Sequence, residues 1–167
     1  QLILRGIYRI IPFFPLKVSR TNAENYVLRS EILESVGKIY YFLNLEKFAW
    51  ANIAQANLSD QIGLERYKAR AYAALSIIYG ALGLYSLADK VAMKSENFAS
   101  AANDPVTEAI SLQRLAALGM YKNTPDFWDE KLHTALPLQI RFGETWEKIL
   151  TFASITVAAI YSGKFKE

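Results

Sequence analysis

The side chains that could carry out chemistry in this chain are few, and the densest group is Asp126, Asp129, Glu130 and His133. A histidine beside carboxylates could act as a general base, and neighbouring acids could bind a cation. His133 is the single histidine of the 167 residues and cysteine is absent. A multi-histidine metal site, a thiolate site and a cysteine nucleophile are therefore excluded, and we expect neither a metal nor another cofactor.

Both features have simpler explanations than catalysis. Acids in the first turn of a helix complement its dipole, which accounts for Asp126 and its neighbours. His133 lies between Leu132 and Thr134 in an amphipathic segment, so we expect a partly buried structural residue. No phosphate-loop, dinucleotide, zinc-protease or hydrolase motif occurs. We therefore expect no catalytic residue, although an enzyme using His133 with Asp129 or Glu130 stays a lesser alternative.

A spaced pattern of packing residues is the strongest signal in the chain. Its positions are Tyr72, Leu75, Ser76, Tyr79, Gly83, Ala88 and Ala92. These residue types match the tetratricopeptide pattern W-x2-L-G-x2-Y…A-x3-F. In such a hairpin the large residues face the core, the small ones let the helices approach, and glycine ends the first helix.

Weaker copies of the pattern recur along the chain. The small residues Gly37, Ser76, Gly119 and Thr156 are 39, 43 and 37 residues apart, longer than the standard repeat of about 34. We expect an all-α fold, a right-handed superhelix of antiparallel helix hairpins with about three and a half repeats. The predicted repeat domain is 21–167, with repeats at about 21–60, 63–103, 104–142 and a truncated 143–167.

Apolar periodicity and breakers place the helices. They are predicted at about 21–43, 46–58, 64–82, 86–102, 105–122, 127–142 and 144–161. Asp104 should cap the fifth helix, whose first residue is Pro105. The segment 59–63 is predicted to break the second helix, and Pro137 to kink or end the sixth.

The basic charge is concentrated in an N-terminal arm, residues 1–20. Arg5, Arg9, Lys17 and Arg20 give it a charge of +4 against +3 for the whole chain, so the other residues sum to −1. Nucleic acid is thus not an expected partner. The arm is predicted to join a preceding module and pack on the first repeat, and a membrane-surface segment is the alternative.

A run without charges from Ala71 to Ala88 is long enough to suggest a membrane span. Its glycines, serines and tyrosines, and the turn expected at Gly83, favour a buried helix followed by a turn. We expect a cytoplasmic protein.

The surface left for function is the groove that the first helices of such hairpins form. We expect it to bind a protein or peptide, or other domains of the same chain. The candidate groove residues are Glu34, Lys38, Tyr41, Phe42, Arg70, Ala73, Ile77, Ala81, Gln113, Ala116 and Met120.

The segments Ile39–Asn44, Ala49–Leu58 and Arg70–Gly83 resemble the C-terminal repeat region of large bacterial multidomain ATPases. In that family a class III nucleotidyl cyclase or protein kinase domain precedes an AAA-like module and tetratricopeptide repeats. Lys131, where alanine is expected, departs from the pattern. None of the family's catalytic motifs lies in this chain.

The resemblance implies a non-catalytic interaction and regulatory scaffold, part of a larger signalling ATPase or cyclase. Ile155, Val157 and Ile160 in the last helix are too apolar for a solvent-facing cap, which also predicts a piece of a longer protein. The alternative is the sensor repeat region of a signal-transducing ATPase-type transcription activator.

Overall fold

A computed structural model describes residues 20–162, which form helices joined by short turns. The helices are α1 (Arg20–Leu43), α2 (Leu45–Ile62), α3 (Glu65–Ala81), α4 (Tyr85–Ala102), α5 (Pro105–Lys122), α6 (Pro125–Phe142) and α7 (Thr145–Ser162). No strand occurs between residues 20 and 162, so the all-α prediction is confirmed for this part. The predicted basic arm lies outside the described residues except for Arg20, with which α1 begins.

Local side-chain and backbone chemistry fixes the turns. Gly83 ends the α3 segment with φ of +71°, a conformation that costs glycine little. Asp104 accepts hydrogen bonds from the amides of Val106 and Thr107, both at 3.2 Å. Pro105 opens α5, where its missing N–H would have had no helical partner. The predicted cap and stop signals at these positions are confirmed.

The helices pack as hairpins. The pairs α1 and α2, α3 and α4, and α5 and α6 make the most extensive contacts, and α3 also packs closely on α5. The predicted core positions Tyr72, Leu75 and Ala88 are buried in a cluster shared by α2, α3, α4 and α5. A second cluster around Trp128 and Leu132 joins α5, α6 and α7.

Small residues lie where the helices cross. A Cβ on Gly119 would lie 2.9 Å from the Cβ of Trp128 in α6, and one on Gly37 would lie 3.1 Å from Nδ2 of Asn52 in α2. Both glycines therefore mark the crossing inside their own hairpin, as the spacing predicted. Thr156, the fourth small residue of the series, is exposed instead.

The predicted break of the second helix at 59–63 is wrong, and Pro137 does not end the sixth helix. α2 continues through Ser59, whose hydroxyl donates to the carbonyl of Ala56, and ends only before Gly63 in the left-handed conformation. α6 continues through Pro137. Pro137 and His133, one turn earlier, are both exposed. Water can therefore satisfy the carbonyl that proline leaves without its donor.

Of the helices between residues 20 and 162, none is both long and apolar enough to cross a membrane. The uncharged run from Ala71 to Ala88 is divided by the turn at Gly83, as predicted.

Candidate functional site

The first helices of the hairpins, together with α7, surround a cavity of about 240 Å³. Its lining comes from α1, α3, α5 and α7, with Phe48 and Asn52 from α2. The residues from α1, α3 and α5 are Glu34, Gly37, Lys38, Tyr41, Phe42, Ala74, Ile77, Gln113, Arg114, Ala117 and Met120. Those from α7 are Trp146, Glu147, Leu150, Ala153, Ser154 and Val157.

The buried carboxylate of Glu34 pairs with two arginines beside the cavity. Arg114 Nη2 donates to Oε1 of Glu34 at 2.6 Å, and Arg70 Nη1 lies 3.7 Å from Oε2. Arg114 Nη1 also donates to the backbone carbonyl of Arg70 at 2.9 Å. Three helices are thus joined at one carboxylate.

Glu34 is held in its charged form. Its burial alone would raise its pKa, but the positive charges of Arg114, Arg70 and Lys38 outweigh burial, so the pKa is lowered. The carboxylate is therefore a fixed negative charge at neutral pH. Its role in this arrangement is to hold α1, α3 and α5 together.

A second ion pair connects the first and last helices across the cavity. Lys38 Nζ lies 2.8 Å from Oε1 of Glu147, whose side chain is 2% exposed. The rings of Phe42 and Trp146 meet edge to face with centroids 6.2 Å apart. We call these two contacts between α1 and α7 the clasp. They connect α1 to α7 beside the cavity, which stays partly open to solvent.

Two buried carboxamides also line the cavity. Asn52 donates from Nδ2 to the carbonyl of Phe48 at 2.8 Å within α2. Gln113 is 7% exposed, and its amide makes no hydrogen bond to any residue of the described part. The amide nitrogen and oxygen of Gln113 still reach solvent, so they are open to a hydrogen bond from a molecule in the cavity. Gln113 therefore offers an unused donor and acceptor to the cavity.

The predicted groove residues fall into two groups. Seven of them line the cavity: Glu34, Lys38, Tyr41, Phe42, Ile77, Gln113 and Met120. Arg70 lies behind this lining, in contact with Glu34. Ala73 and Ala116 are fully buried between helices, and Ala81 is exposed outside the lining. That these residues bind a partner stays a prediction.

Sequence reasoning missed Arg114, Asn52 and all the α7 residues. Arg114 follows the predicted Gln113 directly and is a charge in an otherwise apolar stretch, which is a usable signal. The residues of α7 carried no such signal. Glu147 resembled an acid of a first helical turn, and its burial depends on how α7 approaches α1.

The acidic segment near His133 forms no comparable site. His133 Nε2 lies 3.3 Å from Oδ1 of Asp129 on the same helix. Its side chain is 65% exposed, so the expected partial burial is wrong. Within residues 20–162 no three side chains of histidine, aspartate or glutamate are grouped so that they could hold a metal ion.

Comparisons of this chain with protein-family models, with curated proteins and with solved structures found no match.

Proposed function

We propose that this chain is a non-catalytic interaction and regulatory scaffold of the tetratricopeptide type. It would be a right-handed superhelix of about three and a half repeats and part of a larger bacterial signalling ATPase or nucleotidyl cyclase. The observation that supports the proposal is that the first helices of successive hairpins, together with α7, surround one depression with an exposed rim. Partners in such repeats bind on that side.

The rim of the cavity offers contact area to a protein or peptide. Phe42 is 68% exposed and Met120 is 38% exposed, and both line the cavity. Exposed aromatic and methionine side chains beside a depression are typical anchors of protein interfaces. The partner would be a separate polypeptide or another domain of the same chain.

Charge reversal at Lys38 or Arg70 is a poor test of this function. Lys38 pairs with Glu147, and Arg70 lies near both Glu34 and Asp104. Either reversal would place like charges together inside the protein and destabilise the fold. An exposed rim residue is a better position to change.

The two methionines provide a matched pair for photo-crosslinking in cells. Met120 lies on the cavity rim, whereas Met93 on α4 is 64% exposed and outside the lining. A photoreactive phenylalanine analogue at position 120 should capture a defined polypeptide or an adjoining domain, and the same analogue at position 93 should not. Equal capture at both positions, or none at position 120, would refute the scaffold function.

A sensor repeat region of a transcription activator is the second candidate, and the size of the cavity favours it. A volume of about 240 Å³ is below the usual range for drug-sized ligands, roughly 300–1,000 Å³, and far too small for a peptide. It suits a small effector molecule. The flanking reading frame separates the candidates: a cyclase or kinase domain upstream favours the scaffold, and a helix-turn-helix downstream favours the sensor.

A further inference from the structure

We propose that the cavity binds one small, uncharged aromatic molecule that carries a carboxamide-like hydrogen-bonding edge. This inference rests on the sensor candidate, whose ligand it specifies, and goes beyond the scaffold function, which needs no small ligand. Size is the first argument. A cavity of about 150 Å³ is enough for benzene, so about 240 Å³ accepts a single ring with a polar substituent.

The charges of the lining argue for a neutral ligand. Glu34 is paired with Arg114, and Glu147 is paired with Lys38. The four charged residues of the lining therefore sum to zero, and each carboxylate already has a cation at 2.8 Å or less. A charged ligand would lose its hydration without finding an unmatched countercharge.

The carboxamides argue for a polar edge on the ligand. Gln113 has both a donor and an acceptor to offer, and its amide makes no hydrogen bond within residues 20–162. Asn52 uses Nδ2 on the carbonyl of Phe48, while no bond to its Oδ1 occurs among the described residues. A ligand amide has one donor and one acceptor group and so complements a glutamine side chain.

The remaining lining residues are mostly aromatic, which suits an aromatic ring on the ligand. Tyr41 and Phe48 lie edge to face with centroids 5.3 Å apart, and Phe42 and Trp146 form a similar pair. All four rings line the cavity, together with Ile77. A ligand ring would pack offset-stacked or edge to face against such side chains, the arrangements that aromatic rings prefer. The lining is thus apolar and aromatic with a few polar groups, as in many small-molecule sites.

Benzamide, benzoate and benzamidinium test the proposal, because they share one shape and differ in charge. The readout is the NMR signal of the two methionine methyl groups, labelled with ¹³C. Benzamide should shift the Met120 signal in a saturable way and leave Met93 unchanged. Benzoate and benzamidinium should bind at least tenfold more weakly. Equal binding of the three probes, or shifts at Met93 alone, would overturn the proposal.

Variants locate the interaction. Gln113→Leu should weaken benzamide binding at least fivefold while toluene still binds, whereas Gln61→Leu, on an exposed part of α2, should change neither. Gln113→Glu should turn the preference toward benzamidinium. Ala117→Phe, which fills the cavity from α5, should abolish binding of every probe.

Melting temperatures identify variants that do not fold. If the variants do not fold, the titrations of the wild-type protein with benzamide, benzoate and benzamidinium test the proposal by themselves. Benzamide binding that survives in folded Ala117→Phe would place the ligand elsewhere and refute the site. No partner protein enters these titrations, so a negative result leaves the scaffold function standing. Failure of the crosslinking experiment likewise leaves the ligand site standing.

Discussion

Glu34 both lines the cavity and joins three helices through its ion pairs. Its carboxylate accepts from Arg114 at 2.6 Å and lies 3.7 Å from Arg70, so it neutralises cations from two other helices. Removing one partner of a buried ion pair leaves the other charge without compensation, which is usually worse than losing the pair as a whole. The contribution of Glu34 is therefore best measured by removing its charge alone.

Glu34→Gln should reduce the free energy of unfolding by about 3 kcal/mol. The amide keeps the shape and one hydrogen bond but leaves Arg114 and Arg70 without their countercharge. The control is Glu108→Gln, an exposed acid of α5, which should change stability by less than about 0.5 kcal/mol. Urea unfolding of both variants measures the difference. Similar effects in the two would show that Glu34 does not pair inside the protein.

The pH dependence of stability should follow the same carboxylate. Because the pKa of Glu34 is lowered in the folded state, the unfolded chain binds protons more readily as the pH falls. The stabilisation is fully present above the unfolded value, about 4.3, and is lost as the pH falls through the lower folded value.

Asp104 acts in the same direction. Burial would raise its pKa, but hydrogen bonds from Thr107 and the amide of Val106, with the charge of Arg70, lower it. Urea unfolding between pH 6 and 2 should therefore show falling stability on acidification. The slope should be smaller in Glu34→Gln and unchanged in Glu108→Gln. An identical slope in Glu34→Gln would contradict the lowered pKa.

For individual residues, the sequence predicted which side chains line the cavity better than it predicted which side chains they pair with. Seven of the predicted groove residues line the cavity, because the periodicity of α1, α3 and α5 places them on one helix face. Ala73 and Ala116 are buried instead, because alanine is small enough for a neighbouring helix to approach and cover it. Which cation Glu34 meets could not be predicted, since Arg114 is 80 residues away.

At the scale of the helices, the crossings at Gly37 and Gly119 were predictable from small residues, whereas Thr156 is exposed. A Cβ on Gly37 or Gly119 would lie 3.1 or 2.9 Å from the other helix of the hairpin, and Ala88 is fully buried. Whether Pro137 would end α6 could not be decided from the sequence, because the cost of a helical proline depends on whether the freed carbonyl faces water. That exposure is a property of the packed structure, and the local sequence does not contain it.

Ala88→Leu tests the register of the central hairpin. Ala88 is fully buried in the core cluster between α3 and α4, so the added methylenes should destabilise the protein by about 1–3 kcal/mol. Lys90→Leu, on the exposed side of the same helix, should be nearly neutral. Thermal melts of the two variants decide the question. Equal and small effects would mean that position 88 does not lie at a helix crossing.

For the whole molecule, the decisive feature is that the helix stack brings α1 and α7 together. Neighbouring hairpins contact one another directly, and in a stack of this kind the rotation between successive hairpins decides whether its ends meet. Repeat spacing in a sequence does not specify those rotations, so the cavity's closure by α7 could not be predicted. The ion pair between Lys38 and Glu147 is a direct contact between these two helices, which lie at opposite ends of the described chain.

A double-mutant cycle on the clasp tests the closure. Lys38→Met and Glu147→Gln should each destabilise the protein, and the pair should show a coupling energy of about 1–3 kcal/mol, because Glu147 is buried and the atoms are 2.8 Å apart. The control cycle uses Lys122 and Asp89, which also lie close, at 2.7 Å, but are more exposed. Its coupling should be about 0–1 kcal/mol. If the clasp couples no more strongly than this surface pair, α1 and α7 do not meet as described, and the cavity is an open groove in solution.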